Sequence, residues 1–209
     1  AQQAWGYETD QIALPPVPLV DVGGDISTYT YEQLDLVLAR ANALSEEERT
    51  HEELAQLAFD HIDGGVKLTE KVEGWLGHGT YAPPIIQERY PGRPVHYRQD
   101  LWDSIYAGAT WHRGFGEAYK VFFSSTLNMY GVDLGTDKLG HLFKQGHQYF
   151  QIYLKALEDG ESEAQARRKA AYKRGVATEN GIFGMGLSGV YSNADLFTNY
   201  TGMLFYKNL

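Results

Sequence analysis

From Thr136 to the C-terminus, helix start and stop signals divide the chain into three helical segments, and this pattern limits the possible folds more than any other feature. Thr136 is placed to cap a helix running from Asp137 to about Leu157, closed by Asp159-Gly160. Ser162 is placed to cap a second, reaching Glu179-Asn180 and ending at Gly181. Ser192 is placed to cap a third, through Phe197, Tyr200, Leu204 and Phe205. Between the last two, glycines at 181, 184, 186 and 189 mark a flexible or hairpin link.

Upstream, Leu34, Leu36, Val37, Leu38 and Leu44 set an apolar helical stripe over residues 31–44. Ser45 with Glu48, and Thr50 with Glu53, read as capping boxes; the second opens a helix through Leu54, Leu57, Ala58 and Ile62 that stops at Gly64-Gly65. Pro15, Pro16 and Pro18, followed by Gly23-Gly24, make residues 1–30 an extended arm. Residues 74–100 read as loop, and their Trp75, Tyr81, Tyr90 and Tyr97 form an aromatic wall. Residues 101–125 read as helix broken at Gly114-Phe115-Gly116, and Thr126 to Leu134 as a hairpin turning at Tyr130-Gly131. The expected fold is mainly α: one helical domain over 31–209, a small β-hairpin and an extended Pro-rich N-terminal arm.

Composition narrows the function. At 209 residues the chain can bury a core without covalent staples. Its 18 Lys+Arg against 27 Asp+Glu give −9, which argues against a general phosphate-backbone binder and so against nucleic acid. With no Cys there is no disulfide framework, thiol nucleophile or Cys-ligated metal. No apolar run reaches the ~18 residues a membrane span needs, so proximity to a membrane would be to its surface. The start at Ala1-Gln2-Gln3 fits a mature chain after signal-peptide cleavage, although a recombinant end looks the same; the expectation is a periplasmic or secreted protein. Aromatic residues at 13% suit sugar stacking as well as core packing.

Three constellations carry candidate chemistry. Asp137 and His141 lie four apart on one predicted helix face, with Lys138 beside them and Gln145 and Gln148 continuing the polar stripe. A carboxylate one turn from a histidine fixes its tautomer and raises its basicity; the plain alternatives are a first-turn acid favoured by the helix dipole and a satisfied core histidine. His147 is six residues on, about 240° around an α-helix, so the two histidines diverge and do not form a shared zinc site of the HExxH kind. Glu179 falls in the last turn of its helix, where a carboxylate opposes the dipole; burial there would favour a raised pKa and proton donation. Arg167, Arg168, Lys169, Lys173 and Arg174 offset that charge or form a solvated basic face. Asp195 and Asn199 share a face of the last helix, where Ser192-x-x-Asp195 also reads as a near capping box; an Asn among Phe197, Tyr200 and Leu204 needs a partner if buried, and Glu179 or His141 is the expected one. A literal GxGxxG at 184–189 lacks a βαβ context, and Ser188 lacks a nucleophile elbow.

In order, Asp137-Lys138-x-x-His141, Glu179 and Asp195-Leu196-x-x-Asn199-x-x-Gly202 resemble the pattern of VanZ-like and YfiM-like bacterial envelope proteins, over residues 137 to 202. Leu142 stands where those families have Phe, and VanZ proteins span membranes as this chain does not. The resemblance implies an envelope location and carries no established chemistry. The stretch from Glu179 to Ser188 is similar to goose-type lysozymes and lytic transglycosylases, where an acid ends a helix before a glycine-rich segment; Asn180 and Ser188 depart from their Ser and Gln.

The leading expectation is an exported glycan hydrolase acting on polysaccharide or peptidoglycan without a cofactor or metal. In it Glu179 is the general acid, Asp195 or Asp137 the second carboxylate, and His141 and Asn199 the orienting groups. Lys138, Gln145, Trp75 and Tyr81 would line the substrate. A second reading has Asp137, His141 and Asp195 holding a hard divalent ion in a phosphoester or lipid-headgroup hydrolase. A third is a non-catalytic envelope binding protein.

Overall fold

The computed structural model describes residues 6–9, 14–78, 82–107, 121–180 and 190–209. Tyr81, Gly114-Phe115-Gly116 and the glycine-rich stretch from Gly181 to Gly189 lie outside the described residues. The protein is mainly α, as the capping pattern predicts, with short β elements. It divides into two compact units: Ala1–Asp25, Thr69–Lys138 and Thr178–Ser192 in the first, and Ile26–Leu68, Leu139–Ala177 and Asn193–Leu209 in the second.

In the first unit, strand β1 (Gly6–Glu8) pairs in parallel with β2 (Val121–Phe123). β3 (Thr126–Met129) and β4 (Val132–Gly135) form the antiparallel hairpin that the sequence predicts. Tyr130 (φ 54°) and Gly131 (φ 80°) both turn left-handed, the requirement of a two-residue turn whose twist matches its strands. The residues read as loop, 74–100, include the last two residues of helix α3 (Leu68–Trp75), which begins at the last residue of the second unit, and all of the short α4 (Ile85–Arg89). Trp75 is therefore a buried residue at a helix end, 8% exposed, and not part of an open sugar-stacking wall. A buried carboxylate organises this unit. Glu73 accepts the Ser125 N–H (2.7 Å), the Ser125 hydroxyl (3.0 Å) and the Thr136 hydroxyl.

Helix α1 (Gly23–Ala43) begins at the glycine pair that the sequence marks as a break, so the arm is shorter than residues 1–30. The reason is local: the Asp21 carboxylate accepts the Gly23 N–H (2.9 Å), an Asx-type cap over glycines free to enter the helix. The second unit also contains α2 (His51–Phe59), whose N-cap Thr50 accepts the Glu53 N–H. Ser45 and Glu48 make their reciprocal bonds around a turn without opening a helix.

The last third follows the predicted capping closely: α5 (Asp137–Gly140) leads through a π-helical stretch, His141–Gln145, into α6 (Gly146–Glu158). Next come α7 (Glu163–Ala170), another π-helical stretch (Ala171–Val176), α8 (Ala177–Glu179) and, further on, α9 (Asn193–Lys207). Ser162 and Gln165 form the full capping box that starts α7. The unit's core joins Val37, Ala55 and Ala58 to Tyr149, Phe150, Tyr153, Ala166, Met203 and Tyr206.

Candidate functional site

The helical spacing of residues 141–150 is interrupted where the polar residues cluster. Over His141–Gln145 the backbone is π-helical, and the Gly146 N–H reaches back five residues to the His141 carbonyl. Such stretches recur at functional positions because the wider turn re-aims side chains. Gly146 begins α6 against Gly202 of α9; a Cβ on either glycine would collide with the other's backbone, and on Gly202 with the Leu142 carbonyl as well. Two helices at backbone contact bring together the short polar side chains that flank the crossing.

His141, Asp195, Asn199 and Tyr149 of the second unit meet there. The Asn199 amide oxygen lies 2.9 Å from His141 Nδ1, and its Nδ2 faces the Tyr149 hydroxyl at 3.4 Å. With the amide nitrogen facing a phenol oxygen, the amide oxygen is placed to accept from a proton on His141 Nδ1. Its Nε2 faces Asp195 Oδ2, 3.5 Å away. Asp195 and Asn199 are each 3% exposed, while the His141 side chain keeps 17% of its surface open. An imidazolium bound directly to a carboxylate would close to about 2.7–2.9 Å. Two ligands sharing one cation, each about 2.1 Å from it, stand about 3.0–3.4 Å apart. The observed 3.5 Å is longer than such a direct contact and slightly wider than that ligand–ligand separation.

Of the two partners that the sequence offers for the Asp195/Asn199 pair, Glu179 or His141, the structure puts His141 beside both residues. Gln145 ends the same π-helical stretch and is half-buried. His147 goes elsewhere, as the spacing requires. It is buried, stacked on Phe59 (4.7 Å between centroids) and edge-on to Tyr206. Burial pushes its pKa down, against a smaller upward pull from Asp60.

The other candidates lie in the first unit. Asp137 accepts the Thr9 hydroxyl (2.8 Å) and pairs with Lys138 Nζ (2.5 Å), both residues buried. Lys138 is thus a counter-charge held inside the fold rather than a surface group. Glu179 is buried at the end of α8, with the Ser192 N–H 3.4 Å from Oε2. The basic run upstream of it is a solvated face in the second unit: Arg167 pairs with Glu163, and Lys169 with Glu161 and Asp159.

Sequence reasoning missed Tyr149 and the Gly146–Gly202 crossing. Both left a signal: a tyrosine on an otherwise apolar face, whose hydroxyl needs a partner once buried, and glycines inside helices, where each costs about 1 kcal/mol relative to alanine. Comparison with protein-family models, curated proteins and solved structures finds no match to this chain.

Proposed function

We propose that the protein is a divalent-metal-dependent hydrolase of phosphoesters, lipid headgroups included, with His141 Nε2 and Asp195 Oδ2 as ligands. The observation that carries this reading is the facing of an imidazole nitrogen and a carboxylate oxygen at 3.5 Å, both able to ligate a cation. The supporting shell is of the expected kind, since a ligating histidine usually donates its other N–H to a carbonyl or carboxylate, here the Asn199 amide. One imidazole with carboxylate oxygens suits Mn²⁺, Mg²⁺ or Zn²⁺. Bound there, the ion supplies charge stabilisation to a phosphoryl oxygen and lowers the pKa of a bound water. Asn199 and Tyr149 hold the imidazole in one tautomer throughout.

The test is hydrolysis of phosphomonoesters, phosphodiesters and phospholipid vesicles before and after chelation. The reading expects activity that is lost with chelator, restored by one of the three ions, and abolished in His141→Ala and Asp195→Asn. Turnover indifferent to chelator, or undiminished in Asp195→Asn, removes it.

Glycan cleavage in the cell envelope remains the second reading, supported by the burial of Glu179 at a helix end. It expects metal-independent release of sugar products from peptidoglycan or polysaccharide, lost in Glu179→Gln. The envelope location, periplasmic or secreted, is proposed with both readings.

A further inference from the structure

Two histidine ring nitrogens converge in the first unit, at residues with no part in the proposed hydrolase centre. His78 Nε2 and His96 Nε2 are 2.6 Å apart, with the rings nearly perpendicular (83°) and their centroids at 4.3 Å. At that separation two neutral lone pairs repel, so a proton or a cation must lie between them.

The backbones that carry the two rings are fixed. His78 follows α3, its N–H bound to the Glu73 carbonyl (2.8 Å) after a left-handed turn at Gly77 (φ 93°). His96 sits between two anchored positions: the Pro94 carbonyl accepts from Val20, and Tyr97 exchanges a pair of backbone bonds with Thr126. The rings thus meet without any ordering of loose chain, which is the main cost of building a binding site. His78 is exposed, leaving room on its side for water or a further ligand.

We propose that His78 and His96 form a binding site for a transition-metal ion of the zinc, nickel or copper class, each contributing Nε2. Imidazole nitrogens select these ions over magnesium and calcium, which prefer oxygen. Loading opens the nitrogens to about 3.0–3.4 Å, a shift that rotation of the exposed His78 side chain supplies. The site is chemically distinct from the His141–Asp195 pair, which is built on a carboxylate.

Imidazole ¹⁵N NMR of the full chain, titrated with Zn²⁺ alone and then with Mg²⁺ alone, reads each histidine separately. The expected result is that the Nε2 resonances of His78 and His96 shift together with one midpoint at one ion per pair under Zn²⁺, and stay still under Mg²⁺. His78→Gln, at an exposed position that does not threaten folding, should weaken the His96 response by at least the about tenfold that losing a mere supporting group costs a metal site. Different midpoints for the two rings, no response from either, or a His96 response unchanged in His78→Gln overturns the proposal. Because His141 has its own resonance, failure here is separable from failure of the proposed hydrolase centre.

Discussion

Replacing Gly202 by alanine tests whether the helix crossing positions the His141 group. In an open helical position this change would stabilise the protein by about 1 kcal/mol, from helix propensity. Here the added Cβ runs into the Leu142 carbonyl oxygen and carbon and the Gly146 Cα, all backbone atoms that cannot rotate aside. Overpacking a tight interior costs about 1–3 kcal/mol, and backbone against backbone lies at the upper end, about 3. The net is a loss of about 2 kcal/mol, or roughly 4–8 °C in Tm for a chain of this size. Local consequences should be larger. Asn199, three residues earlier on α9, moves with the displaced helix, and the hydrogen bond to His141 Nδ1 opens. Thermal unfolding measures the first effect, and the His141 Nδ1–H signal in ¹⁵N NMR measures the second. The control is Gly24→Ala, whose Cβ meets nothing within 4 Å and which should be neutral or slightly stabilising. A Gly202→Ala protein as stable as the wild type, with its His141 signal unmoved, would refute the crossing as the device that sets the site.

Three further outcomes follow from the packing. Glu73→Ala leaves the Ser125 N–H and the Ser125 and Thr136 hydroxyls buried without their acceptor, and should cost about 3 kcal/mol or more in chemical denaturation; a loss under about 1 contradicts the anchoring role. Thr50→Ala removes the α2 cap and should cost about 1 kcal/mol, with Thr50→Ser retaining most of it. His147 is held neutral by burial, with a folded pKa below its unfolded value, so the unfolded chain takes up its proton first. Its contribution is therefore present in full above about pH 6.5 and is lost as pH falls below that value, until the folded pKa is passed. His147→Gln should flatten that part of the stability–pH curve, and an unchanged slope would contradict the assignment.

The predictable parts of the fold were those set by local chemistry. Ser162 with Gln165, Thr50 with Glu53 and the Tyr130-Gly131 turn announce themselves within four residues, and each forms. Gly23-Gly24 misleads because glycine pairs mark breaks in general, while here the Asp21 carboxylate caps the helix they begin. Trp75 misleads because a neighbourhood rich in Gly and Pro conceals the end of a helix. For the site, i to i+4 spacing joined Asp195 to Asn199, and a buried Asn needing a partner pointed to His141. The π-helical stretch from His141 to Gln145 has no period of its own in the sequence, because the tertiary crossing at Gly146 and Gly202 imposes it.

The most direct test of the central claim is ¹⁵N NMR of the His141 ring during titration of metal-free protein with Zn²⁺. The account predicts that His141 Nε2 moves to the chemical shift of a metal-bound nitrogen while Nδ1 keeps its proton on Asn199, and that Asp195→Asn weakens the response at least about tenfold. A His141 Nε2 that already carries a proton in the metal-free protein and keeps it at saturating Zn²⁺ would contradict the account.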